Sequence, residues 1–137
     1  MGHSYIEFGP RNVYWKDFKV MAVFNYVHHV AKDTEAMKTL ECFDFTLLEW
    51  AINGVCQVEL TAADGDPGMY AELMTLLDAA LRGLELEPDG KVAAEKMNMA
   101  PLKKPDTYFG DVDVEYIANG IEDLKKLLNQ SPETKTA

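Results

Sequence analysis

The chain has 137 residues, 47% apolar and 26% charged, the mix of an ordinary globular domain and not of a disordered or fibrous chain. Acidic residues number 23 against 13 basic ones, and a net charge of −10 argues against a surface built to grip phosphates. No apolar run approaches the ~18 residues that cross a bilayer, so a soluble protein is expected, with no membrane contact.

The first residues, Met1 to Ile6, carry neither a basic stretch nor an apolar core of the kind a secretory signal needs. Cys42 and Cys56 are too few for a disulfide scaffold and sit among apolar neighbours, so two reduced, buried thiols packing as small hydrophobes in a cytoplasmic protein are expected. Ser4, Ile6 and Phe8 alternate with Tyr5 and Glu7 ahead of the turn Gly9-Pro10, the pattern of a short edge strand. From Tyr14 to Ala31 the apolar residues are dense. Val20, Val23, Phe24, Val27 and Ala31 fall on one helical face, which predicts a long, largely buried helix.

Asp33 is placed to cap a following helix. Residues 34–53 suit one helix or two: Phe45, Leu48 and Ile52 form a stripe, Thr46 and Glu49 fit a capping box, and Asn53-Gly54 is a helix stop. Beyond it Cys56, Val58 and Leu60 alternate with Gln57 and Glu59. A short strand and a continued helix both fit, and the helical flanks tilt the balance towards helix.

Asp66 as N-cap and Pro67 as first helical residue predict a helix to about Arg82, carrying Leu73, Leu76, Leu77 and Leu81, with Gly83 as its stop. Leu84 to Glu87 form a short alternating piece before the turn Pro88-Asp89-Gly90. One or two helical turns follow at Val92 to Met97, then an extended connection through Pro101 and Pro105. The last helix is the clearest: Val114, Ile117, Ala118, Ile121, Leu124 and Leu128 keep helical spacing, with Asp111 and Asp113 at its start and Lys125 and Lys126 near its end. Gly120 weakens its middle by about 1 kcal/mol, which suggests that another helix passes close by. The expected fold is mainly α: a single-domain bundle of four to five helices over residues 1–130, with one or two short β-strands as additions, and a flexible tail at 131–137.

No phosphate-binding glycine loop, nucleophile elbow, paired-histidine zinc motif or C-x-x-C is present. His28 and His29 are adjacent, so on a helix they point about 100° apart and cannot share one metal. One at the core boundary and one in water is the expected arrangement. Asp64 and Asp66 resemble the start of a calcium loop, but Gly68 and Thr75 occupy the positions that need further oxygen ligands, so capping explains them better. Met97 and Met99 read as core fillers before a binding patch. No catalytic residue, metal or cofactor is expected.

Charge placement says more. Residues 33–89 hold thirteen acidic and two basic residues, a net −11, while the rest of the chain sums to +1. A solvated face is the plain account of this excess. The sharper account is a face for a basic protein partner, which would also repel nucleic acid. The expected function is therefore a small acidic protein-binding domain. It would inhibit a basic nucleic-acid-handling protein such as a nuclease, restriction enzyme or CRISPR-type effector by standing in for nucleic acid. Asp64, Asp66, Glu72, Asp78, Glu85 and Glu87 are the candidate partner-binding residues. Neutralising the last four is expected to slow association while leaving stability unchanged. A helical assembly or chaperone subunit, homodimeric through the aromatic load of Tyr14, Trp15, Phe18, Phe24 and Tyr26, is the alternative. A small enzyme using Asp64, Asp66 or His28 ranks behind both.

Overall fold

Strand β1 (His3–Phe8) turns at Gly9 into β2 (Arg11–Lys16), and the chain passes straight into helix α1 (Asp17–Ala31). The structure is a computed structural model, and it describes residues 3–45, 57–98 and 110–129. Next come α2 (Ala36–Leu40), β3 (Asp44–Phe45), β4 (Gln57–Glu59), a 3-10 turn (Thr61–Ala63) and the longest helix, α3 (Pro67–Glu85). A second 3-10 turn (Pro88–Gly90) leads to β5 (Lys91–Val92) and α4 (Ala94–Asn98). Finally β6 (Val112–Asp113) enters α5 (Val114–Asn129). The protein is mainly α, as expected, but it carries more sheet than the apolar pattern suggested.

That sheet has four strands in the order β2-β1-β4-β3, with β1 antiparallel to β2 and parallel to β4. β1 is thus an inner strand, not the edge strand expected. Alternation sorts its faces: Ile6, Phe8, Trp15 and Val58 are buried towards the helices, while Tyr14 is exposed on the other side. The same alternation explains why Tyr14 and Trp15 belong to β2 and not to the helix predicted from Tyr14. Arg11, Val13 and Trp15 point inward, Asn12, Tyr14 and Lys16 outward, and α1 starts three residues later than the apolar density suggested.

The ambiguous segment around Val58 is strand, against the helical tilt. Ile6 of β1 pairs in register with Val58, and Leu60 N–H donates to Glu7 O, so a long-range ladder decides what local pattern left open. Asp33 does not cap α2. It adopts a left-handed conformation (φ 63°), and Thr34 Oγ1 accepts the Ala36 N–H instead. Asp66 caps α3 as expected, its Oδ1 accepting from Met69 N–H at 3.1 Å. The helix then runs through Gly83 to Glu85, leaving Leu86 exposed. Asp111 caps α4 and not the last helix, through Ala94 N–H at 2.9 Å, and Asp113 binds Lys91. Phe45, expected in a helical stripe, closes β3 opposite Val58 instead. Leu48 and Ile52 of that stripe, the Thr46 capping box, the stop at Asn53-Gly54, Cys56, Met99, the connection through Pro101 and Pro105, and the tail lie outside the described residues.

α1 is buried nearly all round, because the sheet covers one side while α3 and α5 cover others. One continuous buried cluster joins Phe8 and Val58 of the sheet, Phe24 and Val27 of α1, Leu77 of α3 and Ile121 of α5. Gly120 sits where α5 crosses α1, against Val23, which is the close approach its position implied. Among the described residues no helix is long and apolar enough to cross a membrane.

Candidate functional site

α2 is only five residues long and lies along the first half of α3. Helical spacing on α3 brings Met69, Glu72, Leu76 and Ala79 to the side facing it. Ala71 and Ala79 are too small to fill the space between the helices. What remains is a cavity of about 670 Å³, within the usual range for ligand-binding clefts. Among the described residues Val30 of α1, Ala36, Met69, Leu76 and Ala79 form its apolar lining, Cys42 stands at one end, and Thr34, Thr39 and Thr75 add hydroxyls.

The charged residues that line this groove are two glutamates and one lysine, Lys38. Glu72 and Glu35 line it, and Glu72 accepts a hydrogen bond from Thr39 Oγ1 at 2.9 Å, which fixes the carboxylate across the α2–α3 boundary. Lys38 lies 3.2 Å from Glu35, but both side chains are largely exposed, so the pair is weakly held. Glu41 is exposed on the turn beside Cys42. Cys42 is a free thiol, but it is exposed on the turn after α2 and not buried as expected, with its Sγ 3.4 Å from Lys38 O.

The other residues expected to bind a partner are scattered, and several are already engaged. Asp64 and Asp66 sit on the loop before α3, with Asp66 occupied as the cap. Asp78 accepts from Lys125 Nζ of α5, an ion pair that holds the lysine protonated more firmly than usual. Glu87 is the largest departure. Its side chain is only 7% exposed, accepting from Lys96 Nζ at 2.9 Å and from the Tyr26 hydroxyl at 2.9 Å. Burial, reinforced by the bond to Glu87, raises the Tyr26 pKa, so the hydroxyl remains a donor to Glu87 well into the alkaline range. Glu85 is exposed and, among the described residues, is the one of the last four with no tie to another element. The structure therefore brings Glu72 to the groove and leaves Asp78 and Glu87 as internal ties.

His28 is half-buried with Nδ1 at 2.7 Å from Phe24 O, and His29 is exposed, as their adjacency implied. Burial lowers the pKa of both. Met97 is buried core. On the outer sheet face, Glu7 of β1 stands opposite Glu59 of β4, and Gln57 Nε2 donates to both carboxylates. No group of three or more potential metal ligands occurs among the described residues. The groove was not foreseen from sequence. Its only local sign is the pair of alanines, Ala71 and Ala79, on the leucine-rich helix α3. Comparison of the chain with protein-family models, with curated proteins and with solved structures finds no match.

Proposed function

We propose that the chain is a small acidic protein-binding domain that takes a basic, amphipathic segment of a partner into the groove between α2 and α3. The carrying observation is the coincidence of shape and charge: an apolar cleft of about 670 Å³ bordered by Glu35 and Glu72, with Lys38 drawn to Glu35, inside the segment that holds the whole negative excess. An amphipathic helix lays its apolar side into such a cleft, and its lysines and arginines meet the acidic border. The wider field of residues 33–89 speeds the encounter. Basic partners of this kind include nucleic-acid-handling proteins, which the domain would antagonise by occupying a surface meant for phosphates. The reading treats the chain as one domain in a cytoplasmic setting, supported by its continuous core and the free Cys42. It assigns the chain no catalytic step.

Filling the groove tests this. Ala79→Trp places an indole between α2 and α3. Binding of a basic amphipathic helical peptide, followed by fluorescence anisotropy, should fall at least tenfold while the circular dichroism spectrum is kept. Unchanged binding by a folded variant would place the partner elsewhere.

A second reading has one observation in its favour. Phe18 and Tyr116 are 42% and 37% exposed with ring centroids 5.6 Å apart, and Tyr14 is 72% exposed. Such aromatics suit a subunit that assembles through apolar faces. A salt-insensitive homodimer in sedimentation would favour that reading.

A further inference from the structure

Arg11 opens β2 on the inner side of the sheet and is only 4% exposed. Its charge is incompletely met. Nη2 stands 4.0 Å from Asp64 Oδ1, the outer limit of an ion pair, and Nε and Nη1 are buried with no hydrogen-bond acceptor. The Phe8 ring lies 4.9 Å from the guanidinium carbon, but a ring face satisfies charge and not N–H direction. A buried guanidinium with idle donors is costly, and an oxyanion is the group its planar fork fits best.

Arg11 lines a cavity of about 220 Å³, together with Phe8, Asp64, Asp66, Tyr70 and Leu128. Nε and Nη1 lie beneath its surface, so Nη2, held only at the 4.0 Å limit by Asp64, is the nitrogen that meets a ligand there. The volume equals about seven waters, the size class of a single amino acid and not of a peptide. The N-terminus of α3 borders it but offers an anion little: Pro67 has no N–H, while Met69 and Tyr70 N–H already bond to Asp66. A plain anion would gain from Arg11 and be repelled by the two carboxylates. A plain cation would meet the reverse. A ligand with both charges matches all three, and the tilted rings of Phe8 and Tyr70, 6.3 Å apart, leave an apolar wall for the rest of it.

We propose that this cavity binds a free α-amino acid with an apolar side chain. Its carboxylate rests on Arg11, its ammonium on Asp64 and Asp66, and its side chain against Phe8, Tyr70 and Leu128. Gly9 lets Asp64 take its place. The glycine has φ +59°, and a Cβ there would collide with the Asp64 carboxylate. The site is separate from the groove, since α3 turns Met69 to the groove and Tyr70 to the cavity.

The test is a titration of the 15N-labelled full chain with L-leucine, L-leucinamide (no carboxylate) and 4-methylpentanoate (no ammonium), read by NMR. L-leucine should move the Arg11 Nε–H resonance and the Gly65 and Tyr70 amides saturably, with a Kd of about 1 mM or tighter. Both analogues should bind at least tenfold more weakly. Arg11 is buried and its replacement disturbs the core, so Asp64→Asn, on an exposed loop, supplies the variant arm and should weaken L-leucine binding severalfold. Three results would overturn the proposal: no saturable shift at these residues, an analogue binding as tightly as L-leucine, or an Asp64→Asn protein that binds L-leucine unchanged.

Discussion

Val23 of α1 stands so close to Gly120 of α5 that a Cβ on the glycine would lie 2.5 Å from Val23 Cγ2. In an open helix, Gly→Ala gains about 1 kcal/mol of helix propensity. Overpacking a tight core costs about 1–3 kcal/mol. Both neighbours belong to core helices, so the overpacking wins. Gly120→Ala should destabilise the protein by about 1–2 kcal/mol in urea unfolding. A gain in stability would mean that α1 and α5 are farther apart than described.

Ile121, next to that glycine, is fully buried in the core cluster. Ile121→Ala should cost about 2–5 kcal/mol. Glu122→Ala, on the exposed side of the same turn, should change stability by no more than about 0.5 kcal/mol. Chemical denaturation of the two variants under one set of conditions decides which face of α5 is inward.

Four carboxylates expected to be interchangeable on the surface separate into two kinds. Glu85→Gln should leave stability within about 0.5 kcal/mol of the parent. Glu87→Gln removes the charge that Lys96 meets and weakens the bond from Tyr26, so it should cost about 1–3 kcal/mol. Equal melting temperatures for the two variants would refute the internal role of Glu87. A variant neutralising Glu72, Asp78, Glu85 and Glu87 together is thus a poor probe of binding alone, because part of its effect falls on the fold.

Glu7 has its pKa raised, first by its hydrogen bond with the facing Glu59 and then by burial, against a smaller lowering by Gln57. A carboxyl whose folded pKa lies above its unfolded value adds stability while protonated. That contribution is complete below the ordinary glutamate range and is lost as pH rises through the raised value. Glu7→Gln keeps the acceptor for Gln57 and cannot ionise. Its melting temperature should exceed the parent's at pH 7, and the gap should close near about pH 4, where the parent is protonated too. A gap independent of pH would show that Glu7 and Glu59 do not interact.

Local chemistry was readable where a few neighbouring residues settle the outcome. Asp66 and Pro67 start α3, the stripe through Ile121 defines α5, and Gly120 marks the crossing with α1. Where distant partners decide, the sequence misled. Strand β2 was absorbed into the first helix because Tyr14 and Trp15 raise apolar density for either structure, although the in-out order of Arg11 to Lys16 was there to be read. Gln57 to Glu59 became a strand because β1, some fifty residues earlier, supplies its ladder. The candidate site was less legible still. Charge located the acidic segment, yet Lys125 and Lys96, which draw Asp78 and Glu87 inward, come from other elements. The groove arises from how α2 lies on α3, which no spacing along the chain encodes.

The most direct measurement of the central claim is the association rate of a basic amphipathic peptide with the parent and with Glu35→Gln/Glu72→Gln, by stopped flow across ionic strength. A fluorophore on Cys42, in a Cys56→Ala background, reports entry into the groove. Exposed charges act over roughly 8 Å at physiological salt, so the variant should associate severalfold more slowly at low salt and converge with the parent as salt rises. Equal rates at low salt, or a Cys42 probe silent while the peptide binds, would contradict the acidic groove as the docking site.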